Sequence, residues 1–541
     1  MPSPRWLVGP VAGCLFALGQ PAAAVSTTDF PQQEANPPLK VPATASCQVD
    51  VMTHDFAFSY GAPFRGQFAP PAQCPAPWSE IVLTFSASVG GVQFDRLVDA
   101  YFGGVLVYSG STSEPCCTPP ASTPVASEPG ATSHWSVQKD VTEYAPVLAA
   151  PQPVEVDLNN VVNSSDTGIY HTTLTLTFYE TAKHVAAGAH PDVVLPFNQA
   201  GNSGVDGYLN PDAQGDVPPG SITFPRNLVQ LRAELFAQGH GPGEEFWWGD
   251  PAGSSNGTGT PYREVGVYLD GRLAGAAPVY PVVFTGGDGP GLWEPIPSPR
   301  AWNLTPFTVD LTPFVGTLTD GLPHHVALHV FDIDLSSGDY WLVQANLLGW
   351  VGPTTEPTVG GLISTSAPAA PTETGGWDPS GNAVYQDQVA HDLSFAGWLD
   401  TAGGRRTTEV DDSIAATSTE TAVTTQTAWD WKAVTTSTLS RPHKPGQTEV
   451  SSQEQKFSID SETLTRFAFT DSIASRSPAG WSTYSETMST ADATGIVYNG
   501  VEREQYAAGD SSGLCYDRTL TAAAGNIVAD QSDSACPAAP G

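Results

Sequence analysis

The stretch Ile81-Val82-Leu83-Thr84-Phe85-Ser86 decides the fold class, because Ile81, Leu83 and Phe85 alternate with Val82, Thr84 and Ser86. An apolar residue at every second position is typical of a β-strand with one buried face. The same alternation returns in residues 173–178 and 326–330. With 53 glycines and 49 prolines, the sequence favours few and short helices. It therefore predicts an all-β protein built from antiparallel sandwiches or jelly rolls.

One turn has an equally clear local pattern. Asp270-Gly271 separates the apolar run 265–269 from Arg272-Leu273-Ala274. Because an Asp-Gly pair readily adopts the two positive φ angles of a type I′ turn, it predicts a two-residue hairpin.

The chain of 541 residues is long enough for several domains. Stretches dense in Pro, Gly, Ser and Thr predict the boundaries between them. The predicted order is a signal peptide (1–24), an extended segment (25–45), a first jelly-roll domain (46–185), a second jelly-roll domain (186–355), a linker (356–381) and a β-rich C-terminal region (382–541).

The N-terminus predicts export. An apolar run over residues 6–18 is followed by Ala22-Ala23-Ala24, which is the pattern of a signal peptide cleaved before Val25. We expect a secreted or periplasmic protein with no integral membrane segment, because no later apolar run has the length of a spanning helix. A second possibility is a lipid anchor at Cys14, since Val11-Ala12-Gly13-Cys14 resembles a bacterial lipobox.

Cysteine usage agrees with export. With Cys14 of the predicted signal peptide set aside, six of the seven cysteines remain, and an even set in an exported chain favours disulfides over metal or redox chemistry. The pairing is open, with Cys47–Cys74 and Cys515–Cys536 as the pairs closest in sequence. The set comprises Cys47, Cys74, Cys116, Cys117, Cys515 and Cys536.

The formal charge of −35, from 56 acidic and 21 basic residues, argues against a nucleic acid or an anionic membrane as partner, because both require a positive face. Histidines are scattered and no His-Glu-x-x-His or Cys-x-x-Cys occurs, so we expect no metal and no cofactor. Gly509-Asp510-Ser511-Ser512-Gly513 is similar to a serine-protease loop, but no matching histidine stretch accompanies it.

Asp95 is the first candidate catalytic residue. If Val92-Gln93-Phe94-Asp95-Arg96 is a strand, a buried Phe94 leaves Asp95 facing a cleft. Asp99 shares that face but lies about 13 Å further along the strand, so a partner carboxylate must come from elsewhere in the chain. The alternative is an ordinary surface pair of Asp95 and Arg96.

A second candidate cluster combines acids with aromatic rings. Glu244-Glu245-Phe246-Trp247-Trp248 is followed by Arg263-Glu264, and Trp293 and Trp302 lie downstream. Sugars stack on aromatic rings while carboxylates and guanidiniums bind their hydroxyls, so this mixture suits a glycan site. Strand parity predicts that Glu264 faces outward. The alternative is that the rings belong to the core beside a solvated acidic loop.

A set of segments between residue 46 and about 350 extends the two clusters. In order along the chain they are Cys47, His54-Asp55-Phe56, Cys74-Pro75, Pro77-Trp78, Phe94-Asp95-Arg96, residues 134–142, Gly168-Ile169-Tyr170-His171, Glu245-Phe246-Trp247, Arg263-Glu264-Val265, Thr285-Gly286-Gly287 and Leu292-Trp293. Taken in this order, they resemble the A-type peptide N-glycosidases, a family of plants, fungi and some bacteria, and the resemblance is close from about residue 46 to 350.

This resemblance implies two side-by-side jelly rolls that hydrolyse the amide between asparagine and the innermost N-acetylglucosamine of an N-glycan, on glycopeptides or denatured glycoproteins. It also implies that Asp95 matches the catalytic aspartate of a Trp-Asp-Arg motif in a distantly similar flavobacterial enzyme, with Phe94 replacing the tryptophan. We assign Asp95 as general base, Arg96 as its orienting or oxyanion partner, and Glu264 as acid or sugar anchor. The expected substrate-binding residues are Phe94, Glu245, Trp247, Trp248, Arg263 and Trp293.

Two other functions fit the same residues. A non-catalytic glycan-binding protein can also be a β-sandwich with exposed rings and acids. A glycoside hydrolase likewise needs only two carboxylates.

Overall fold

A computed structural model gives the fold. It describes residues 29–34, 39, 41–114, 132–181, 190–198, 207–248, 259–279, 282, 284–285, 296–297, 300–335, 338–381, 384–401, 404–423, 426–444, 447–462, 466–476, 479–492, 495–507, 515–523 and 526–533. Nearly all regular structure in these residues is β, which confirms the predicted class. Cys14, Cys116, Cys117, Cys536, residues 509–513 and the predicted signal peptide lie outside the described residues.

Two sheets form the first sandwich. The five-stranded sheet has the order β1-β7-β4-β9-β2 and the four-stranded sheet the order β3-β8-β5-β6. The strands are β1 (Asp29–Pro31), β2 (Ser46–Phe56), β3 (Phe64–Phe68), β4 (Trp78–Gly90), β5 (Leu97–Phe102), β6 (Val105–Ser111), β7 (Thr132–Asp140), β8 (Gln152–Leu158) and β9 (Ile169–Glu180). Between β7 and β8 lie a 3₁₀ turn (Thr142–Tyr144) and α1 (Ala145–Leu148).

The stretch that predicts the fold forms the middle of β4. Ile81, Leu83 and Phe85 are fully buried between the two sheets. Leu83 and Phe85 lie opposite Leu176 and Leu174 of β9, so the alternating apolar residues of neighbouring strands share one face and one core. A disulfide joins Cys47 of β2 to Cys74, which confirms that pairing.

The second sandwich repeats this arrangement. Its sheets have the orders β10-β17-β12-β15 and β11-β16-β13-β14. The strands are β10 (Val193–Pro196), β11 (Asp216–Ile222), β12 (Leu228–His240), β13 (Glu264–Leu269), β14 (Arg272–Pro278), β15 (Phe307–Asp310), β16 (His324–Phe331) and β17 (Tyr340–Val351). Short helical turns are Glu244–Phe246, Thr312–Phe314 and α2 (Val315–Leu318). Asp270 and Gly271 join β13 to β14 with φ angles of 48° and 78°, as the predicted hairpin requires.

The two sandwiches meet along β6. The backbone N–H of Leu304 donates to Ser109 O at 2.9 Å, and the N–H of Ser111 donates to Ala301 O at 2.6 Å, so residues of the second domain cover the open edge of the first. Trp302 between them is buried, with its ring 5.9 Å from that of Trp135. It is therefore part of the domain junction, and the expectation that it offers a ring to a ligand is wrong.

An eleven-stranded sheet contains the rest of the chain. Its order is β18-β20-β21-β22-β23-β24-β25-β26-β27-β28, with β19 paired to β20. The strands are β18 (Val359–Ser366), β19 (Thr372–Trp377), β20 (Val384–Thr401), β21 (Gly404–Val423), β22 (Gln426–Lys444), β23 (Gln447–Glu462), β24 (Arg466–Arg476), β25 (Ala479–Asp492), β26 (Gly495–Ala507), β27 (Cys515–Ala523) and β28 (Asn526–Asp533).

The start of this sheet corrects one expectation. Residues 356–381, predicted as a linker from composition, contain β18 and β19. Both strands are largely exposed, and the Thr and Ser residues that suggest a linker are also accepted in exposed strands. Strand β20 packs on the second sandwich, where the rings of Phe395 and Phe314 lie 5.4 Å apart. None of the helices that the structure describes has the length and apolar character needed to cross a bilayer.

Candidate active site

The loop between β4 and β5 carries Asp95, and it is not the strand that the sequence predicts. The chain leaves the sheet at Gly91, which has a φ of 93°. Gln93 is buried and its amide donates to Val161 O at 3.1 Å and Gly168 O at 3.0 Å. Because these bonds satisfy a buried polar side chain, Gln93 points inward and Phe94 is 52% exposed. The expected burial of Phe94 is therefore wrong.

Arg96 is held beside Phe94. Its Nη2 donates to Gln93 Oε1 at 2.8 Å, and its guanidinium carbon lies 5.7 Å from the centre of the Phe94 ring. The backbone N–H of Arg96 donates to Thr112 Oγ1 at 2.8 Å. The cation thus has a fixed place in the loop next to Asp95.

Glu114 is a carboxyl that the sequence analysis missed. It follows the end of β6, and the backbone N–H of Asp95 donates to its Oε2 at 3.4 Å. Burial, and next the charge of Asp95, raise the pKa of Glu114 from 4.5 to about 8. No sequence motif surrounds Glu114, and only the turn of the chain after β6 brings it to Asp95.

Glu245 completes the group from the second domain. It lies in the 3₁₀ turn Glu244–Phe246 after β12. Burial, followed by the charge of Asp95, raises its pKa to about 8. Three carboxyls from two domains therefore share one electrostatic environment, and two of them bind protons well above the ordinary carboxyl range.

Glu244 and Arg263 anchor the turn that carries Glu245. Both side chains are completely buried, and Arg263 Nη2 and Nε donate to Glu244 Oε1 and Oε2 at 2.7 and 3.0 Å. Trp341 Nε1 donates to the same carboxylate at 2.6 Å, and the Asp334 N–H does so at 2.8 Å. A buried ion pair whose charged groups are also hydrogen-bonded holds both side chains in one orientation. The turn that carries Glu245 is therefore rigid. Arg263 therefore pairs with Glu244 inside the protein, and its buried side chain is not exposed for the substrate contact that was expected.

Glu264 does not join the other carboxyls. It is completely buried on β13, where the Tyr262 hydroxyl donates to Oε2 at 2.7 Å and His391 Nδ1 lies 2.8 Å from Oε1. The expectation that Glu264 faces outward is wrong, because β20 covers the face of β13 that the strand pattern left open. The alternation of residues in a strand shows which face points away from one core. It does not show whether another strand covers that face.

The tryptophans of the second cluster are also inside. Trp247 and Trp248 are 3% and 1% exposed and belong to the core of the second sandwich. Their ring faces are occupied by protein, including the guanidinium of Arg263 at 5.8 Å from the Trp247 ring. Trp293 lies outside the described residues.

Other aromatic rings are exposed at the site. Tyr60 is 69% and Tyr340 is 46% exposed. Burial, then the charge of Glu245, raises the pKa of Tyr340, and Tyr60 and Asp95 contribute to the same shift. The Tyr340 ring stacks on His240 with centroids 5.1 Å apart. Together with Phe94, these rings offer apolar faces beside the carboxyls, as a sugar site requires.

Within the described residues, no three His, Cys, Asp or Glu side chains are grouped so that they could hold a metal ion. The arrangement can accept a proton, donate a proton and stabilise a developing negative charge with one guanidinium.

Known proteins are similar to this chain in sequence. Residues 33–368 match the family model for peptide N-acetyl-β-D-glucosaminyl asparaginase amidase A. The chain is 30% identical over 399 residues to peptide-N4-(N-acetyl-β-glucosaminyl)asparagine amidase A of Prunus dulcis, a match that covers 69% of this chain and 66% of that protein.

Solved structures are more distantly similar. PNGase F of Flavobacterium meningosepticum is matched with a TM-score of 0.38 at 13% identity, over 57% of this chain and 96% of the other. PNGF-II is matched with a TM-score of 0.40 at 13% identity, over 57% and 66%. Because the family model spans more than half of the sequence, the chain belongs to the peptide N-acetyl-β-D-glucosaminyl asparaginase amidase A family.

Proposed function

We propose that the protein hydrolyses the amide bond between asparagine and the innermost N-acetylglucosamine of N-glycans, giving a glycosylamine and aspartate. The observation that carries the proposal is the group of Asp95, Glu114 and Glu245, in which two pKa values are raised to about 8. Family membership supports the same reaction.

The geometry supports a division of roles. Asp95 accepts a proton from the water that attacks the amide carbon, and Arg96 stabilises the oxyanion that forms. Glu245 then protonates the departing nitrogen as the C–N bond breaks, because it holds its proton at neutral pH and lies on the opposite domain from Asp95. Glu114 keeps Asp95 and the attacking water in place through its hydrogen bond with the loop.

In this proposal Glu245 takes the acid role that the resemblance first suggested for Glu264. Glu264 has no exposed surface and its oxygens are bound to Tyr262 and His391. The rings of Tyr60, Phe94 and Tyr340 replace the buried tryptophans as the surfaces on which the sugars or the peptide stack.

Mass measurement of a purified N-glycopeptide after incubation tests the reaction. The expected product is the sugar-free peptide with Asp in place of Asn. A peptide that keeps its innermost sugar indicates a glycoside hydrolase, and an unchanged glycopeptide indicates a binding protein. Either outcome rejects the proposal.

Asp95→Asn tests the site. We expect it to abolish turnover while retaining binding of the glycopeptide, because the amide keeps the shape of the side chain and cannot accept the proton. Asp400→Asn is the control, since Asp400 is an exposed carboxylate paired with Arg405 in the C-terminal sheet. Full turnover by Asp95→Asn rules out the assigned base.

We also propose that the protein acts outside the cytosol, on N-glycopeptides or unfolded N-glycoproteins. The Cys47–Cys74 disulfide supports this location, because such bonds persist in oxidising compartments. Detection of Val25 as the first residue of protein recovered from outside the cell tests the cleavage site.

A further inference from the structure

Tyr170 connects the two segments of the first domain that carry carboxyls. It lies at the start of β9 and is fully buried. Its hydroxyl donates to Phe94 O at 2.6 Å and lies 3.1 Å from Ser113 O, while Thr112 Oγ1 donates to the phenolic oxygen at 3.1 Å. One phenol therefore contacts both the loop after β4 and the end of β6.

The two carbonyls that Tyr170 contacts belong to residues next to the carboxyls of the site. Phe94 directly precedes Asp95, and Ser113 directly precedes Glu114. We propose that Tyr170 is a positioning residue that fixes the distance between the Asp95 and Glu114 carboxyls. The inference rests on the proposed function, in which these two carboxyls act together.

A hydrogen-bonded chain reinforces the contact. The N–H of Arg96 donates to Thr112 Oγ1 at 2.8 Å, that hydroxyl donates to Tyr170, and Tyr170 donates to Phe94 O. The chain thus begins and ends on the two sides of Asp95. Because it closes on the same loop, a shift of Asp95 must break at least one of these bonds.

The second domain is fixed to the same segment. Thr285 Oγ1 donates to Thr112 O and lies 3.3 Å from Ser111 Oγ. The segment at the end of β6 therefore binds both the loop of Asp95 and the domain that carries Glu245. Burial raises the pKa of the Tyr170 phenol, so the hydroxyl remains a donor over the whole working range of pH.

Tyr170→Phe removes the hydroxyl and keeps the ring. Misplacement of reacting groups by about 1 Å lowers rates by roughly 100-fold, so we expect kcat to fall by about that factor while KM stays within about twofold. When the loop is no longer held, the charge of Asp95 lies further from Glu245, the proposed acid, and raises the pKa of Glu245 less. The alkaline limb of the kcat profile should therefore move to lower pH.

Tyr144→Phe is the matched control. Tyr144 is also buried, and its hydroxyl donates to Glu234 Oε2 at 2.8 Å beyond the far end of β7. Its variant should lose comparable thermal stability and keep the kcat and pH profile of the wild type. If both variants lose activity alike, or if Tyr170→Phe keeps both kcat and profile, Tyr170 has no positioning role.

A second pair of variants covers the case in which Tyr170→Phe fails to fold. Thr112→Val removes the bridging hydroxyl without changing the side-chain shape, and Thr112→Ser restores it. We expect the alkaline limb to move in Thr112→Val and to return in Thr112→Ser, and equal profiles contradict the inference. Wild-type protein that leaves the glycopeptide intact rejects the proposed function itself, independently of these comparisons.

Discussion

Replacing Glu114 by glutamine should increase the stability of the protein at neutral pH while it leaves the activity largely intact. The folded protein holds the proton of Glu114 up to a pKa of about 8, whereas the ordinary value is 4.5. Between these values the folded state binds more protons than the unfolded state, so the unfolding free energy falls as the pH rises. Glutamine does not titrate, so the Glu114→Gln variant does not lose unfolding free energy in this way as the pH rises.

The size of the effect follows from the pKa shift. Each unit corresponds to about 1.4 kcal/mol. The roughly 2.5 units between 4.5 and pH 7 therefore amount to about 3 kcal/mol of unfolding free energy, as an upper limit because Asp95 and Glu245 share the cluster. Glutamine also keeps an oxygen that accepts the Asp95 N–H, so little packing is lost.

Urea unfolding at pH 4.5, 6 and 7.5 measures this difference. The gap between Glu114→Gln and wild type should grow steadily over that series, and kcat should stay close to the wild-type value, because the glutamine oxygen still accepts the Asp95 N–H. Glu155→Gln is the control, because Glu155 pairs with Arg65 at the surface and such a pair contributes about 1 kcal/mol or less. A constant gap across the three pH values refutes the reasoning.

Three further outcomes are expected. Glu244→Gln should lower the unfolding free energy by about 3 kcal/mol or more in denaturant titrations, because it leaves the buried charge of Arg263 without its carboxylate; a loss below 1 kcal/mol contradicts this. Burial lowers the pKa of His391, but the hydrogen bond and charge of Glu264 raise it overall above 6.5, so wild-type stability should fall more steeply than that of His391→Gln as the pH rises past this value, and parallel curves contradict it. Tyr340→Ala should raise KM for glycopeptides about 5-fold with little change in kcat, since ring stacking contributes about 1 kcal/mol; an unchanged KM removes Tyr340 from the binding surface.

Local patterns were sufficient to predict the framework of the fold. The alternation in β4 correctly predicts that Ile81, Leu83 and Phe85 face the core of the sandwich, although Val82 on the opposite face is also buried. The Asp270-Gly271 turn and the Cys47–Cys74 disulfide were also predicted, because each involves residues close in the sequence.

The site was predicted only in part, because its geometry depends on contacts between distant segments. Glu114 reaches Asp95 through the path of the chain after β6, which no motif records. Glu264 failed as a candidate because β20, over a hundred residues later, covers it. The same applies to Trp247, because the local sequence does not distinguish an aromatic ring that is exposed beside acids from one that is packed in a core.

In the proposed mechanism, the distribution of the carboxyls over two sandwiches makes activity depend on how the two sandwiches pack together. Asp95 and Glu114 belong to one folding unit and Glu245 to the other, so neither unit alone contains a complete set of proton-transfer groups. A slight rotation between two intact sandwiches is enough to separate base from acid. Catalytic activity in this mechanism therefore depends on the relative orientation of the two sandwiches, and it can be lost while every strand remains in place.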